Sequence, residues 1–197
     1  MPRHSSAPKF FAIIPLAGVC GLAGACGDDA VSYSEPVGIN LKAKSSDVVG
    51  ATVTDSKGIN TENGNPYGAF VANARQELAG ADPGRIALTG ASLLLGAGTT
   101  GVSRLGEVFA GETVVLFEMN DTNNTFPAAN QMLVAADGAG PIAMDVAFES
   151  GQMGEADFSK LLAGSFKVVV RGPAATDFAA KGADADLQVT LTFTAYE

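Results

Sequence analysis

The sequence predicts an all-β fold, a β-sandwich of immunoglobulin-like type with about seven strands and one or two short helices. Three observations carry that expectation. Apolar and polar residues alternate with period two in several segments, Gly, Pro, Asn and Asp separate those segments, and a single stretch combines helical spacing with end signals. Period-two alternation gives a strand one buried face, and the same pattern wound as a helix would bury none.

The first strand is read from Val37, Ile39, Leu41 and Ala43, which alternate with Gly38, Asn40, Lys42 and Lys44. Ser45 to Asn65 is rich in polar residues and glycine and reads as a long loop with a short strand near Val53. Asn65 can then cap a helix whose first position holds Pro66, whose stripe is Phe70, Val71, Ala74 and Leu78, and which Gly80 ends. This helix is expected to lie across an open end of the sandwich.

Further strands are expected at Arg85 to Leu95, Thr113 to Asn120 and Asn130 to Ala136. The last leads through Asp137 to Pro141, a hairpin-like connection, into the alternation of Ile142, Met144, Val146 and Phe148. Phe166, Val168 and Val170 alternate with Lys167 and Arg171, interrupted by Val169. The clearest pattern is C-terminal, where Leu187, Val189, Leu191 and Phe193 interleave with Gln188, Thr190, Thr192 and Thr194. Two such sheets can close on one core.

The N-terminus obeys a different logic. Arg3, His4 and Lys9 precede an apolar run from Phe10 to Ala25, which is the charged region and apolar region of a signal peptide. A spanning anchor is the competing reading, disfavoured because Pro15 and three glycines interrupt a short run. The run ends in Leu-Ala-Gly-Ala-Cys, Leu22 to Cys26, which resembles the lipobox of bacterial lipoproteins. That resemblance implies a diacylglycerol on the Cys26 thiol and cleavage just before it. The family usually places Leu where Ala23 stands, with Leu22 one position further back, and Cys20 fits less well because Val19 precedes it. Ala23-x-Ala25 also satisfies the rule of ordinary signal peptidase, which would cut the same bond. Gly27 comes after the cysteine where Asp favours inner-membrane retention in this family, so the resemblance implies the outer membrane.

The expected organisation is a signal peptide over 1-25, a lipidated tether over 26-30 and one β-sandwich domain over 31-197. Cys20 leaves with the leader, so the mature chain can form no internal disulfide. Loss of Arg3 and Lys9 lowers the basic count from 12 to 10 against 21 acids, taking the net charge from -9 to -11. Such a chain repels phosphate backbones and anionic head groups, so nucleic acid is excluded as a partner. Membrane attachment then rests on the acyl chains.

Among motifs, Gly96-Ala-Gly98-Thr-Thr-Gly101 comes after the apolar Leu93 to Leu95, and Glu118 ends a later apolar run. In order, these resemble the glycine-rich fingerprint of dinucleotide-binding Rossmann proteins, which implies a ribose contact from Glu118. After Glu118, however, only Met119 to Ala129 precedes the next strand, too little for a crossover helix. Asp121-Thr-Asn123-Asn124-Thr125 opens like a calcium loop but has Phe126 and Met132 where Gly and Glu belong.

His4 is the only histidine and lies in the leader, which excludes Ser-His-Asp, Cys-His and His-ligated zinc chemistry from the mature chain. Ser103 sits in Gly-Val-Ser-Arg-Leu-Gly, one residue too long for a nucleophile elbow. Paired carboxylates remain open. The expectation is a membrane-anchored envelope lipoprotein acting as a non-catalytic binding or structural module, with a protein or polysaccharide partner and no cofactor. Its contacts are expected in Ser45 to Asn65 or Met119 to Phe126. The alternative is an enzyme, either dinucleotide-dependent through Gly96 to Gly101 or carboxylate-based on envelope polymers.

Overall fold

The computed structural model describes residues 31–62 and 64–197, so the stretch read as a signal peptide, the lipobox-like residues and Cys26 lie outside the described residues. In chain order the elements are β1 (Ser32–Lys44), β2 (Thr52–Ile59), α1 (Pro66–Glu77), β3 (Arg85–Leu95), β4 (Gly111–Met119), β5 (Thr125–Leu133), β6 (Ile142–Ala143), β7 (Asp145–Val146), α2 (Glu155–Leu162), β8 (Phe166–Pro173) and β9 (Asp184–Tyr196). They form two antiparallel sheets, β1-β9-β3-β6 and β2-β8-β4-β5-β7. Among the described residues seven strands have eight residues or more, and β6 and β7 have two each. The all-β sandwich read from the sequence is the fold.

The period-two segments do what their pattern requires. Along β9 the residues Leu187, Val189, Leu191 and Phe193 are buried and Gln188, Thr190 and Thr192 are half-buried on the outer face. From β1 come Val37, Ile39, Leu41 and Ala43, and from β4 come Val115, Phe117 and Met119. Fully burying one large apolar side chain contributes roughly 1.5–3 kcal/mol, so this interlayer core is the main stabilising element. At its aromatic end Phe193 meets Tyr67 with ring centroids 5.1 Å apart, Phe70 at 5.4 Å and Phe117 at 5.8 Å.

The α1 helix begins where expected. Asn65 Oδ1 accepts the Tyr67 N–H at 3.0 Å, and Pro66 occupies the first turn, where a missing N–H costs nothing. At the far end Gly80, with φ +90°, donates its N–H to the Arg75 carbonyl at 2.7 Å. The helix buries Tyr67, Phe70, Val71 and Ala74, and Tyr33 of β1 stacks on Phe70 at 6.2 Å.

Four expectations are corrected. Within the predicted loop from Ser45 to Asn65 the short strand read near Val53 is the eight-residue β2, paired with β8 along its whole length from Thr52↔Pro173 to Ile59↔Phe166. The strand read at Asn130 to Ala136 starts earlier and stops at Leu133. Asp137 to Pro141 is not a hairpin connection, because β5 and β6 belong to different sheets. The single strand read from Ile142 to Phe148 is divided, with β6 on Ser92 and Leu93 of one layer and β7 on Ala129 and Asn130 of the other. Between them Met144 is buried and crosses from layer to layer.

Strand direction fixes two poles. Ser32 pairs with Tyr196 and Tyr196 with Arg85, so the start of β1, the end of β9 and the start of β3 share one pole. The opposite pole carries the end of β1 with Lys44↔Asp184, the end of β3 with Leu95↔Leu187, and the Gly96 segment beyond it. In the second sheet the turn 120–124 and α2 adjoin strand ends that meet at Met119↔Phe166, away from the end marked by Thr52↔Pro173.

Candidate functional site

An open groove runs between β1 and β2, the edge strands of the two sheets on one side of the sandwich. Two cavities lie between these strands, of about 230 and 390 Å³, and one of about 300 Å³ at the start of α1 and one of about 360 Å³ between Asn40, β9 and the Gly96 loop adjoin them at either end. Neighbours share Asn65 and Pro66, then Asn40 and Lys57, then Asn40 and Asp186. The groove therefore leads from the start of α1, past Gly38 and Gly58, to the Gly96 loop.

Main-chain groups point into it. In an antiparallel strand, alternate residues direct both N–H and C=O to the same side. The Lys42 N–H donates to Asp55 Oδ2 at 2.6 Å, away from β9, whereas the Ser45 N–H donates to Ala183 O at 3.0 Å on the β9 side. By that alternation Gly38 and Asn40 present their main-chain groups outward, and Pro36 at the next outward position has no N–H to offer. On β2 the Thr52 N–H and C=O exchange bonds with Val49 at 3.0 Å each, facing away from β8. Ser56 and Gly58 then also face away from β8, towards β1.

Charges sit where core side chains would otherwise be. On the inward-facing positions of β2, Val53 and Ile59 are buried, but between them stand Asp55, half-buried, and Lys57, exposed. Asp55 is engaged on the Lys42 N–H, and Lys57 makes no ion pair among the described residues. Lys42 Nζ lies 3.8 Å from Asp184 Oδ1 and 3.7 Å from Asp186 Oδ1. A β-carbon added to Gly58 would meet nothing within 4 Å, and one on Gly38 only the Gln188 amide nitrogen at 3.9 Å.

The glycine-rich segment closes one end of this groove and is used for close approach to β9. Gly96 N–H donates to Asp186 O at 2.7 Å, Thr99 Oγ1 accepts from Asp186 N at 3.1 Å, and Thr100 and Asp184 exchange main-chain bonds at 2.8 and 3.1 Å. A side chain on Gly98 would strike the Asp186 carboxylate, and Gly101, with φ +80°, lies where a β-carbon would come within 2.8 Å of Ala183 Cα. The chain then makes a 3-10 turn, Leu105–Glu107, on its way from β3 in one sheet to β4 in the other. Glu118 stands at the opposite pole and is paired with Lys167 at 3.0 Å. The glycines and the acid of the Rossmann-like fingerprint thus lie at opposite ends of the sandwich, on separate layers.

Two other segments singled out in the sequence, and one buried tyrosine that was not, have structural engagements. In the turn after β4, Thr122 Oγ1 and Asn124 Nδ2 donate to the buried Asp157 carboxylate at 3.1 and 2.8 Å. Asp121 and Asn123 adopt φ +66° and +54° there, and Lys160 donates to the Asn120 carbonyl. The turn is held to α2. Ser103 donates its N–H to Glu107 Oε2 at 2.7 Å and its hydroxyl to the same oxygen at 3.3 Å, with Lys181 Nζ at 3.3 Å from Oε1. The Ser103 amide first, then Lys181, hold the Glu107 carboxyl down at about 2. Tyr67, inside the core, donates its hydroxyl to Leu161 O at 2.9 Å, and burial raises its pKa far above the ordinary phenol value.

Among the described residues, no group of three His, Cys, Asp or Glu side chains is placed to hold a metal ion, and no helix is long and apolar enough to cross a membrane. Comparison with protein-family models, curated proteins and solved structures finds no match to this chain. The groove draws Asp55, Ser56, Lys57, Gly58 and Asn65 from the Ser45 to Asn65 stretch expected to carry contacts. Its β1 wall lies outside both stretches expected to do so. The only sequence cue for that wall is the polar, small outward set Gly38, Asn40 and Lys42, which reads as any solvated strand face.

Proposed function

We propose that this chain is an envelope lipoprotein, lipid-anchored through Cys26 and sorted to the outer membrane, whose domain is a non-catalytic binding module. The groove between β1 and β2 is its binding site. One observation carries the binding reading: main-chain donors and acceptors of two edge strands face two adjoining open cavities bordered by Gly38 and Gly58. Groups fixed by a sheet bind without the ordering cost that a mobile loop adds. A protein segment or an envelope polysaccharide is the partner class.

The anchor reading is supported by the lipobox-like residues and by the short link, since β1 starts at Ser32, six positions after Cys26. At about 3.3–3.6 Å per extended residue, the tether holds that pole within roughly 20 Å of the bilayer. The groove then runs along β1 away from the membrane. A carboxylate-based enzyme would have to draw on Asp55 and Asp186 here, and both are engaged with Lys42.

The test is a pull-down from the protein's own envelope with the full-length lipidated chain and with Gly58→Trp, which puts an indole on the β2 wall of the groove. Specific capture by the wild type and its loss in Gly58→Trp supports the reading; equal capture by both overturns it. In parallel, Cys26→Ser should release the protein from membranes, and intact-mass analysis showing an unmodified Cys26 would refute the anchor.

A further inference from the structure

We propose that the ligand of this groove is an extended peptide carrying an acidic side chain, which pairs its main chain with Gly38 and Asn40 and sets its carboxylate against Lys57. The inference rests on the groove being the binding site and specifies what it takes. Outward-facing main-chain groups on β1 repeat every second residue, about 6.8 Å, which is the repeat of an extended peptide. Adding a strand to an open edge uses that match, with main-chain bonds supplying affinity and side-chain positions supplying specificity. Among the described residues no aromatic side chain lines the cavities, so these residues offer a sugar ring no stacking platform.

The chemistry of the side chain is set by two residues of β2. Asp55 already places a carboxylate on an edge amide of β1, the Lys42 N–H, at 2.6 Å. It both ends the free edge and shows that this edge accepts an acid. Lys57, two positions on and on the same side of β2, has no acid of its own among the described residues and borders the cavities beside Gly38 and Asn40. An inward-pointing lysine on an edge strand discourages indiscriminate strand pairing. An incoming strand with a carboxylate at the facing position removes that penalty, whereas an apolar strand leaves the ammonium unpaired, which makes the lysine a selector. The free edge from Gly38 to Asn40, ended at Lys42 by Asp55, accommodates about three peptide residues.

The experiment uses a displayed library of random linear hexapeptides, selected on the full-length protein in detergent. The expected outcome is enrichment of sequences with one Asp or Glu among small or β-branched residues. A synthetic peptide from that pool should slow hydrogen exchange at the Gly38 and Asn40 amides. Lys57→Glu should weaken its binding at least tenfold, as should Asn40→Pro, which deletes an edge N–H. Should Asn40→Pro fail to fold, Lys57→Gln and the exchange pattern decide the matter. Selection without acidic preference, or binding unchanged by Lys57→Glu, overturns the proposal. So does protection of the same amides by soluble envelope polysaccharide in place of peptide. If no peptide is enriched while Gly58→Trp still abolishes capture from the envelope, the groove stands as the site and the peptide inference fails alone.

Discussion

Asn124 donates its side-chain amide to the buried carboxylate of Asp157 at 2.8 Å, tying the turn after β4 to the first turn of α2. A turn that reads in sequence as free, polar and available for recognition is therefore part of the fold. Asn124→Ala leaves that carboxylate with Thr122 as its remaining side-chain partner, and losing a hydrogen bond to a buried charged group costs about 1–3 kcal/mol. The urea midpoint of Asn124→Ala should fall accordingly. Asn123, at φ +54°, makes no side-chain bond among those described, so Asn123→Gly should be near neutral. Equal midpoints for Asn124→Ala and wild type would show that Asp157 is solvated in solution.

The two faces of β9 should respond differently to truncation, with one exception. Phe193 is fully buried among Tyr67, Phe70 and Phe117, so Phe193→Ala should cost about 3–5 kcal/mol. Thr190 and Thr192 are half-buried on the outer face, and their replacement by Ser should stay within about 0.5 kcal/mol. Thr194, on that same face, is 4% exposed and bonded to Ser34 Oγ at 2.7 Å and Thr89 Oγ1 at 3.0 Å, a hydroxyl chain across three strands. Thr194→Val should therefore destabilise where Thr190→Val does not. Thermal melts of these variants make the comparison.

Legibility tracks the purity of the pattern. β9 is readable because every inward position is apolar, β1 from Val37 to Ala43 for the same reason, and α1 because Asn65 and Pro66 are strong start signals. β2 reads as loop because two of its inward positions hold Asp55 and Lys57. The same two residues that give the groove its charge erase the strand's period-two signature. The segment from Ile142 to Phe148 keeps its alternation and still misleads, since periodicity cannot tell one strand from a chain that crosses between layers at Met144. α2 has Gly154 at its N-cap and no side-chain cap, which leaves it without a strong start signal. The candidate site is half visible, because its β2 wall lies in a stretch expected to carry contacts whereas its β1 wall is main chain, which sequence does not display.

The glycines of the Gly96 segment should separate by what their missing side chains would meet. On Gly98 the obstacle is the Asp186 carboxylate, the far end of a side chain that can turn away at the expense of its approach to Lys42. On Gly101 the obstacle is the Ala183 main chain, and the residue also needs φ +80°. Gly98→Ala should lower stability by about 1 kcal/mol, and Gly101→Ala by clearly more, since strain at positive φ and a fixed clash combine. Saturable binding of a nicotinamide or flavin nucleotide, lost in Gly98→Ala, would instead revive the dinucleotide reading.

Acid stability offers the last prediction. The Glu107 carboxyl is held at about 2, below its ordinary value of 4.5, by the Ser103 amide and then by Lys181. Because the folded-state pKa is depressed, the unfolded chain binds the proton first on acidification. The stabilisation is full above about 4.5 and is lost as pH falls from there towards about 2. Glu107→Gln removes the titrating group while keeping its shape, and an amide oxygen can still accept from Ser103. Urea midpoints of wild type and Glu107→Gln should therefore differ most near neutral pH and converge as pH falls through this window. Because the Glu107 and Lys181 side chains are each 30% exposed, added salt should shrink the part owed to Lys181 and leave the part owed to the Ser103 amide. A midpoint difference independent of pH between 7 and 2 would mean that the Ser103–Glu107 contact does not persist in solution.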